Sequence, residues 1–403
     1  MSPARISLAD LFVEFDREEL IELAAGLIAI PTFDGAEGEA IRFAERFLAS
    51  RDLSTRLCTR DPSRPNLAVT VGQGTPVVAL NGHLDTVPIS DRDAWTTDPL
   101  VPTVKAGRLY GLGAIDMKAP AAVLMLVATH LRRYADRMKG TLQLQLAVDE
   151  ETGGYNGTIF LIEQMQHGEI ERADFAISGE RTDLKVSNAE RGGLKFEVVF
   201  SGRAAHTADA RTMGVNPVAH AARAVVALDR PLAEFHPHTG HGVISVNVIK
   251  GGAFASQVPD QCVILVDRRM VPGETADSVL AQAEAEIRDA LRDIPEARFQ
   301  LRPVVDKHGR RRYYAPNLTE WESPLVQAAR RAHKAVTGED AGPCTGSFGA
   351  SDGRLFRYQG IDTIAYGPSG ENAHGPNEYV EIDTLETQYK VLMAALSEIL
   401  LKA

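Results

Sequence analysis

Three short apolar segments of this chain stop at acidic or imidazole side chains, with helical stretches between them. "PVVALNGHLD" carries almost nothing polar from Pro76 to Leu80, breaks at Asn81-Gly82, and then presents His83 and Asp85. "LQLQLAVDEE" ends in Asp149, Glu150 and Glu151, and "ADFAISGE" ends in Glu180. Apolar strands alternating with helices predict an α/β layer structure whose sheet is largely parallel. Function in such sheets gathers beyond the carboxyl ends of the strands, where these side chains fall.

At 403 residues the chain exceeds the usual size of one domain, and its texture changes at Gly193. "LKFEVVFSG" has strand character, and "NPVAHAARAVVAL" reads as a helix capped by Asn216 with Pro217 in its first position. Strands "GVISVNVIKGG" and "QCVILVDRRM", the helix "TADSVLAQAEAEIRDALRD" and the strand "RFQLRPVV" follow. The order β-α-β-β-α-β is the split arrangement of a ferredoxin-like α+β domain. The chain therefore reads as a larger α/β domain over 1–191 and 304–403, its mostly parallel sheet flanked by helices. A compact domain over 192–303 is inserted into it.

Composition narrows the function. A net charge of -11 argues against a nucleic-acid partner, which would need clustered Lys and Arg. Cys58, Cys262 and Cys344 form no CxxC pair and predict no disulfide framework, so a reducing compartment is expected. "FDREELIELAAGLIAIP" places acids before a short apolar run and reads as a helix capped by Asp16 rather than as a signal peptide. No apolar run approaches the roughly 20 residues that span a bilayer. The expected protein is cytoplasmic, with no membrane partner.

Six positions could do chemistry together. His83 and Asp85, two apart on extended backbone, point the same way. A turn in which they merely bond each other would account for that pair alone. Asp116 precedes an apolar helix, where a cap is the plain reading. Three consecutive acids at 149–151 repel one another unless something positive sits among them. Glu180 ends another strand, and His374 lies in the loop "ENAHGPNEYV". Carboxylates with two imidazoles and no thiolate suit zinc or a similar divalent ion, and a pair of ions would use about five such side chains.

"GHLDTVP", Trp95, "DPLVPTVKAGRLYGLGAIDMK", "DEETGGYNG", "GERT" and "AHGPNE" resemble, in that order, the dizinc aminoacylase/carboxypeptidase family. That family includes acetylornithine deacetylase, succinyl-diaminopimelate desuccinylase, aminoacylase-1 and glutamate carboxypeptidases. The resemblance implies a zinc-exopeptidase-like catalytic domain carrying a lid and dimerisation domain, hence a homodimer. It also implies two divalent ions, zinc first and cobalt or manganese as alternatives. His83 and Glu180 would hold one ion and Glu151 and His374 the other, with Asp116 bridging and Asp85 orienting His83. Glu150 would be the general base in hydrolysis of an amide by a metal-activated water. From the inserted domain, His206 in "SGRAAHTA" would stabilise the oxyanion, and Asn247 and Arg269 would bind the substrate's carboxylate. Arg268 stands next to Arg269 on the opposite strand face. Ser351, in the glycine-rich "GASDGRLF", would line the substrate. Motif spacing favours deacylation of a small N-acyl amino acid. Dipeptidase or carboxypeptidase activity is the alternative, and a non-catalytic binding protein on this fold the remote one. Two departures stand out: Ala119-Pro120 follows "DMK" where the family has Gly, and Arg181 replaces Pro after Glu180.

Overall fold

β-Branched and leucine-rich segments build the larger sheet. Its strands are β1 (Thr55–Cys58), β2 (Asn66–Gly72), β3 (Val77–His83), β4 (Thr141–Ala147), β5 (Phe175–Ser178) and β6 (Asp362–Ala365), ordered β1-β2-β4-β3-β5-β6 in space. β2 pairs antiparallel with β1 and β4, while β4, β3, β5 and β6 all run parallel. Every residue of β3 and β4 is buried, as strands covered on both faces must be. The parallel run brings the carboxyl ends of four strands to one rim.

Helices α1 (Arg17–Ile28), α2 (Gly38–Ser50), α3 (Lys118–Leu131), α4 (Thr158–Gln166), α5 (Pro324–Thr337), α6 (Gly353–Arg357) and α7 (Ile382–Leu400) cover the sheet. Alternation along β3 sets the two layers. Val78 and Leu80 join the core built on α1, α3 and α7, while Val77 and Ala79 join Leu161 of α4 and Phe356 of α6. α3 is buried at all but one of its positions, so each of its Leu, Val and Met side chains contributes about 1.5–3 kcal/mol of apolar burial. Pro120 falls in its first turn, where a backbone N–H has no partner to lose, and the helix forms around it. No described helix is long and apolar enough to cross a membrane. The three cysteines are buried and unpaired.

The structure, a computed structural model, describes residues 6–305, 311–345 and 349–402. Two units emerge: Met1–Asn188, Thr319–Cys344 and Ser351–Ala403 form the first, Ala189–Leu318 and Thr345–Ala350 the second. Boundaries expected at 191/192 and 303/304 thus lie at 188/189 and 318/319. Ala189–Glu190 pairs with Asn317–Leu318, and Tyr313–Tyr314 adds to the smaller sheet, so both connecting stretches belong to the second unit. Within that unit the strands Val243–Gly251, Gln261–Met270, Gly192–Ser201 and Arg298–Pro303 lie in this order, all antiparallel, with helices Pro217–Leu228 and Ala276–Ala290 against one face. This is ferredoxin-like topology.

Asp16 caps α1 through the N–H groups of Glu18 and Glu19. α7, by contrast, begins at Ile382 without a side-chain cap at Glu381, and Asp383 and Glu386 within its first turns pair with Arg17.

One buried ion triad fixes the turn after β4. Arg64 Nε donates to Glu37 Oε2 at 3.0 Å, and its Nη1 lies 3.0 Å from Asp149 Oδ1. Asp149 in turn accepts from Asn156 N at 2.9 Å, closing the 149–156 loop. Glu37 is fully buried, so removing the guanidinium strands two carboxylates. Arg64→Ala is expected to destabilise the first unit by about 3 kcal/mol, the lower end for a broken buried pair. Urea unfolding followed by CD reads this; an unchanged midpoint would show that the pair adds nothing.

Candidate metal centre

The rim of the parallel strands assembles the expected residues of the first unit. His83 is the last residue of β3, Glu150 and Glu151 sit in the turn after β4, and Glu180 follows β5. Asp116 enters just before α3, and His374 lies in the loop after β6 with φ +64°. That loop has left-handed backbone at Asn372, His374 and Asn377. Asn377 secures it, accepting from Thr96 N and Oγ1 at 2.7 Å each and donating to the carbonyl of Ala94 at 3.0 Å.

His83 Nδ1 lies 3.1 Å from the carbonyl oxygen of Asp85 and 3.4 Å from its Oδ1. Both neighbours are acceptors, so Nδ1 carries the proton and Nε2 presents its lone pair. Nε2 is buried, makes no hydrogen bond, and faces Asp116 Oδ1 at 3.2 Å and Glu180 Oε1 at 3.5 Å. His374 Nε2 lies 2.7 Å from Glu151 Oε1 and 3.4 Å from Asp116 Oδ2. Asp116 therefore turns one oxygen toward each imidazole. Donor atoms of His83, Asp116 and Glu151 lie within 4.8 Å of one another. The plain reading of Asp116 as a helix cap fails: the cap position of α3 belongs to Met117, and no side chain caps it.

The electrostatics describe a site rich in carboxylate. Burial pushes Glu180 up to about 7, with the Asp116 charge adding to it. Burial and then Asp352 raise Glu150 well above the usual carboxylate range. Hydrogen bonds to Asp116 and Glu151 push His374 up to about 10. Burial opposes charge at His83, but Asp116, Asp85 and Glu180 outweigh it and hold its pKa well above normal. These carboxylates favour positive charge on the rim, which a bound divalent cation would supply while both imidazoles stay neutral as ligands. A buried, unbonded imidazole nitrogen amid carboxylate oxygens fits divalent cations, and His83, Asp116, Glu151, Glu180 and His374 are the residues that would hold them.

Asp85 does more than orient His83. Its Oδ2 accepts from Glu151 N at 2.9 Å and so links the ends of β3 and β4. Several residues with no role in the sequence reading surround the site. Glu378, buried, accepts from Gly113 N and Ile115 N at 2.9 Å each and from Asp116 N at 3.2 Å. Burial nevertheless raises its pKa to about 8. Lys118 is wholly buried, donates to the Ile30 carbonyl at 2.6 Å, and is lowered to about 7 by desolvation. Asp352 and Arg354 approach Glu150 from the turn before and within α6. All four lie inside motifs already conspicuous, "AHGPNE", "DMK" and "SDGR", and only their lack of an obvious chemical task hid them.

Ser351 is buried and its Oγ accepts from Gly353 N at 3.1 Å, at the start of α6. Arg181 is not among the main charges acting on Glu180; its field reaches Cys344. His206, Asn247 and Arg269 belong to the second unit. His206 is exposed, and its Nδ1 accepts from Ala208 N at 3.2 Å. Asn247 is exposed at a bulge, its Oδ1 accepting from Ser245 Oγ at 2.9 Å. Arg268 is buried and paired with Glu274, whereas Arg269 is half-exposed, 2.9 Å from Asp267 Oδ1 and 2.5 Å from Tyr314 Oη. Of the two arginines, Arg269 is the one whose side chain reaches an accessible face.

Comparison with known proteins places this geometry. Residues 79–398 match the family described as peptidase family M20/M25/M40. A succinyl-diaminopimelate desuccinylase of Nitrosococcus oceani is 31% identical over 349 residues, covering 83% of this chain and 87% of that protein. Among solved structures, a tripeptidase from Staphylococcus aureus superposes with a TM-score of 0.74 at 19% identity, covering 95% of this chain and 98% of that one. A dinuclear metal-binding peptidase of family M20 from Bacillus subtilis gives 0.71 at 17% identity, over 95% and 99%.

Asp116→Ala removes the carboxylate shared by both imidazoles. Metal analysis after dialysis is expected to find less than half the wild-type ion content; full retention would remove the bridging role.

Proposed function

The chain belongs to peptidase family M20/M25/M40 as a metal-dependent hydrolase of amide bonds, and on that premise we propose that it deacylates a small N-acyl amino acid. The observation that carries the reading is Asp116, one oxygen turned to His83 and the other to His374, with Glu150 beside the ligand Glu151. The desuccinylase relative supports an acyl amino acid as substrate. Dipeptides and other short peptides are the second substrate class, favoured by the tripeptidase likeness in fold. No expected ligand and no base is missing, which disfavours a binding protein without activity.

We take the two ions to be zinc, with cobalt or manganese as alternatives; bound there, they would polarise the scissile carbonyl and acidify a water. Glu150 accepts that water's proton and returns it to the departing nitrogen. A carboxylate kept above its ordinary range by burial suits this exchange. His206 for the oxyanion, Asn247 and Arg269 for the substrate's carboxylate, and Ser351 for the substrate are proposals that rest on their motifs. Arg suits a carboxylate because its planar fork meets both oxygens. A cytoplasmic homodimer is proposed on the same basis, the exposed strand Val243–Gly251 offering an unpaired edge.

Three outcomes test this reading. Chelator-sensitive amine release is expected from N-succinyl- or N-acetyl-amino acids; release from dipeptides alone would transfer the assignment to a peptidase. Glu150→Gln should keep its metal yet lose at least ~10²-fold in kcat, and near-normal turnover would reject the base. Arg269→Ala should raise KM for substrates with a free α-carboxylate and leave an amidated analogue unaffected; equal effects would reassign the residue.

A further inference from the structure

Glu150 differs from the acids around it. Glu151 and Asp116 each lie against an imidazole, and Asp85 accepts a backbone N–H. The Glu150 carboxylate accepts no hydrogen bond among the described residues, although it must hold one direction to exchange a proton. What faces it is Arg354, whose Nη1 stands 3.8 Å from Glu150 Oε1, with only 11% and 10% of the two side chains exposed.

The guanidinium is itself held. Arg354 Nη1 also donates to the carbonyl of Ser351, one turn back on its own segment. That segment is anchored through Asp352, buried, whose Oδ2 accepts from Thr158 Oγ1 at 2.6 Å. Thr158 Oγ1 accepts in turn from Asn81 Nδ2 at 3.1 Å, so β3, α4 and the start of α6 are tied by one chain of hydrogen bonds. The loop that follows Glu150 rests on the same turn: a Cβ at Gly154, where φ is +75°, would sit 3.1 Å from Asp352 Oδ1. Asp352 fixes the turn, the turn fixes Arg354, and Arg354 faces the base.

We propose that Arg354 is a positioning residue that aims the Glu150 carboxylate, a role that rests on the reading of Glu150 as general base. It does not touch the reacting atoms. Its attraction selects one orientation of a carboxylate that has no other directed partner, and misplacement on the scale of 1 Å can cost about 10²-fold in rate.

The test compares Arg354→Ala with Glu150→Gln in purified, metal-loaded enzyme on whichever of the N-acyl amino acids or dipeptides is turned over. Arg354→Ala is expected to keep its metal content, lower kcat by about 10- to 100-fold, and leave KM within about threefold. Millimolar guanidinium should restore part of kcat in this variant and none in Glu150→Gln. A kcat within twofold of wild type would overturn the proposal. So would a KM that rises in step with the loss of kcat/KM, which would make Arg354 a substrate contact. Were Arg354→Ala to lose metal or unfold, Arg354→Gln, neutral and of similar reach, carries the same comparison: unchanged kcat there overturns the proposal and a fall at constant KM supports it. If Glu150→Gln itself turns over normally, the base reading fails first, and that result is separate from any effect at Arg354.

Discussion

Carboxylate repulsion at the end of a buried sheet governs this structure. Asp85, Asp116, Glu150, Glu151 and Glu180 gather on one rim, where burial and neighbouring carboxylates raise the pKa of Glu150 and Glu180. A fold that concentrates negative charge in this way needs cations to hold it. The site's donor chemistry, two imidazoles among carboxylates, fits divalent ions as the source of that charge. Much of the surrounding architecture manages the same imbalance. Arg64 sits between Glu37 and Asp149, and Lys118 is buried within reach of the Glu378 and Asp85 charges.

Fixed backbone geometry then turns a cluster into a device. Glu378 gathers the N–H groups of Gly113, Ile115 and Asp116, which sets the chain just before α3 and with it the Asp116 carboxylate. Asp85 touches the imidazole of His83 and the backbone of Glu151, coupling two strand ends through one side chain. The alternation along β3 that sorts Val78 and Leu80 from Val77 and Ala79 also brings Asn81 to Thr158. The proposed mechanism needs a base beside a metal ligand, and the turn after β4 places Glu150 and Glu151 on consecutive residues.

The sequence made some of this legible and hid the rest for physical reasons. Apolar strands ending in acids announce a parallel sheet with a site at its rim, because nothing else explains ionisable groups in series after buried segments. Positioning groups are less visible, since Glu378, Lys118 and Asp352 act through hydrogen bonds to backbone or to distant side chains. A residue that accepts three N–H groups looks in sequence like any loop glutamate. Caps were legible where local, as at Asp16, and misleading where the chain before a helix is held elsewhere, as at Asp116, which faces two imidazoles instead of capping α3. Domain boundaries moved because two-residue strands such as Ala189–Glu190 and Asn317–Leu318 pair across 127 residues or more, which no periodicity records.

What the sequence determined by itself is the class of fold and the kind of chemistry. Strand and helix periods are local, and the residue types that hold a divalent ion are few, so their order along the chain is enough to identify both. Tertiary structure alone decided the arrangement: that Asp116 faces two imidazoles rather than capping α3, that Arg268 is buried while Arg269 reaches an accessible face, and that Arg354 stands opposite Glu150. Each of those depends on distances between segments far apart in the chain, and such distances are fixed only when the sheet brings its strand ends to one rim.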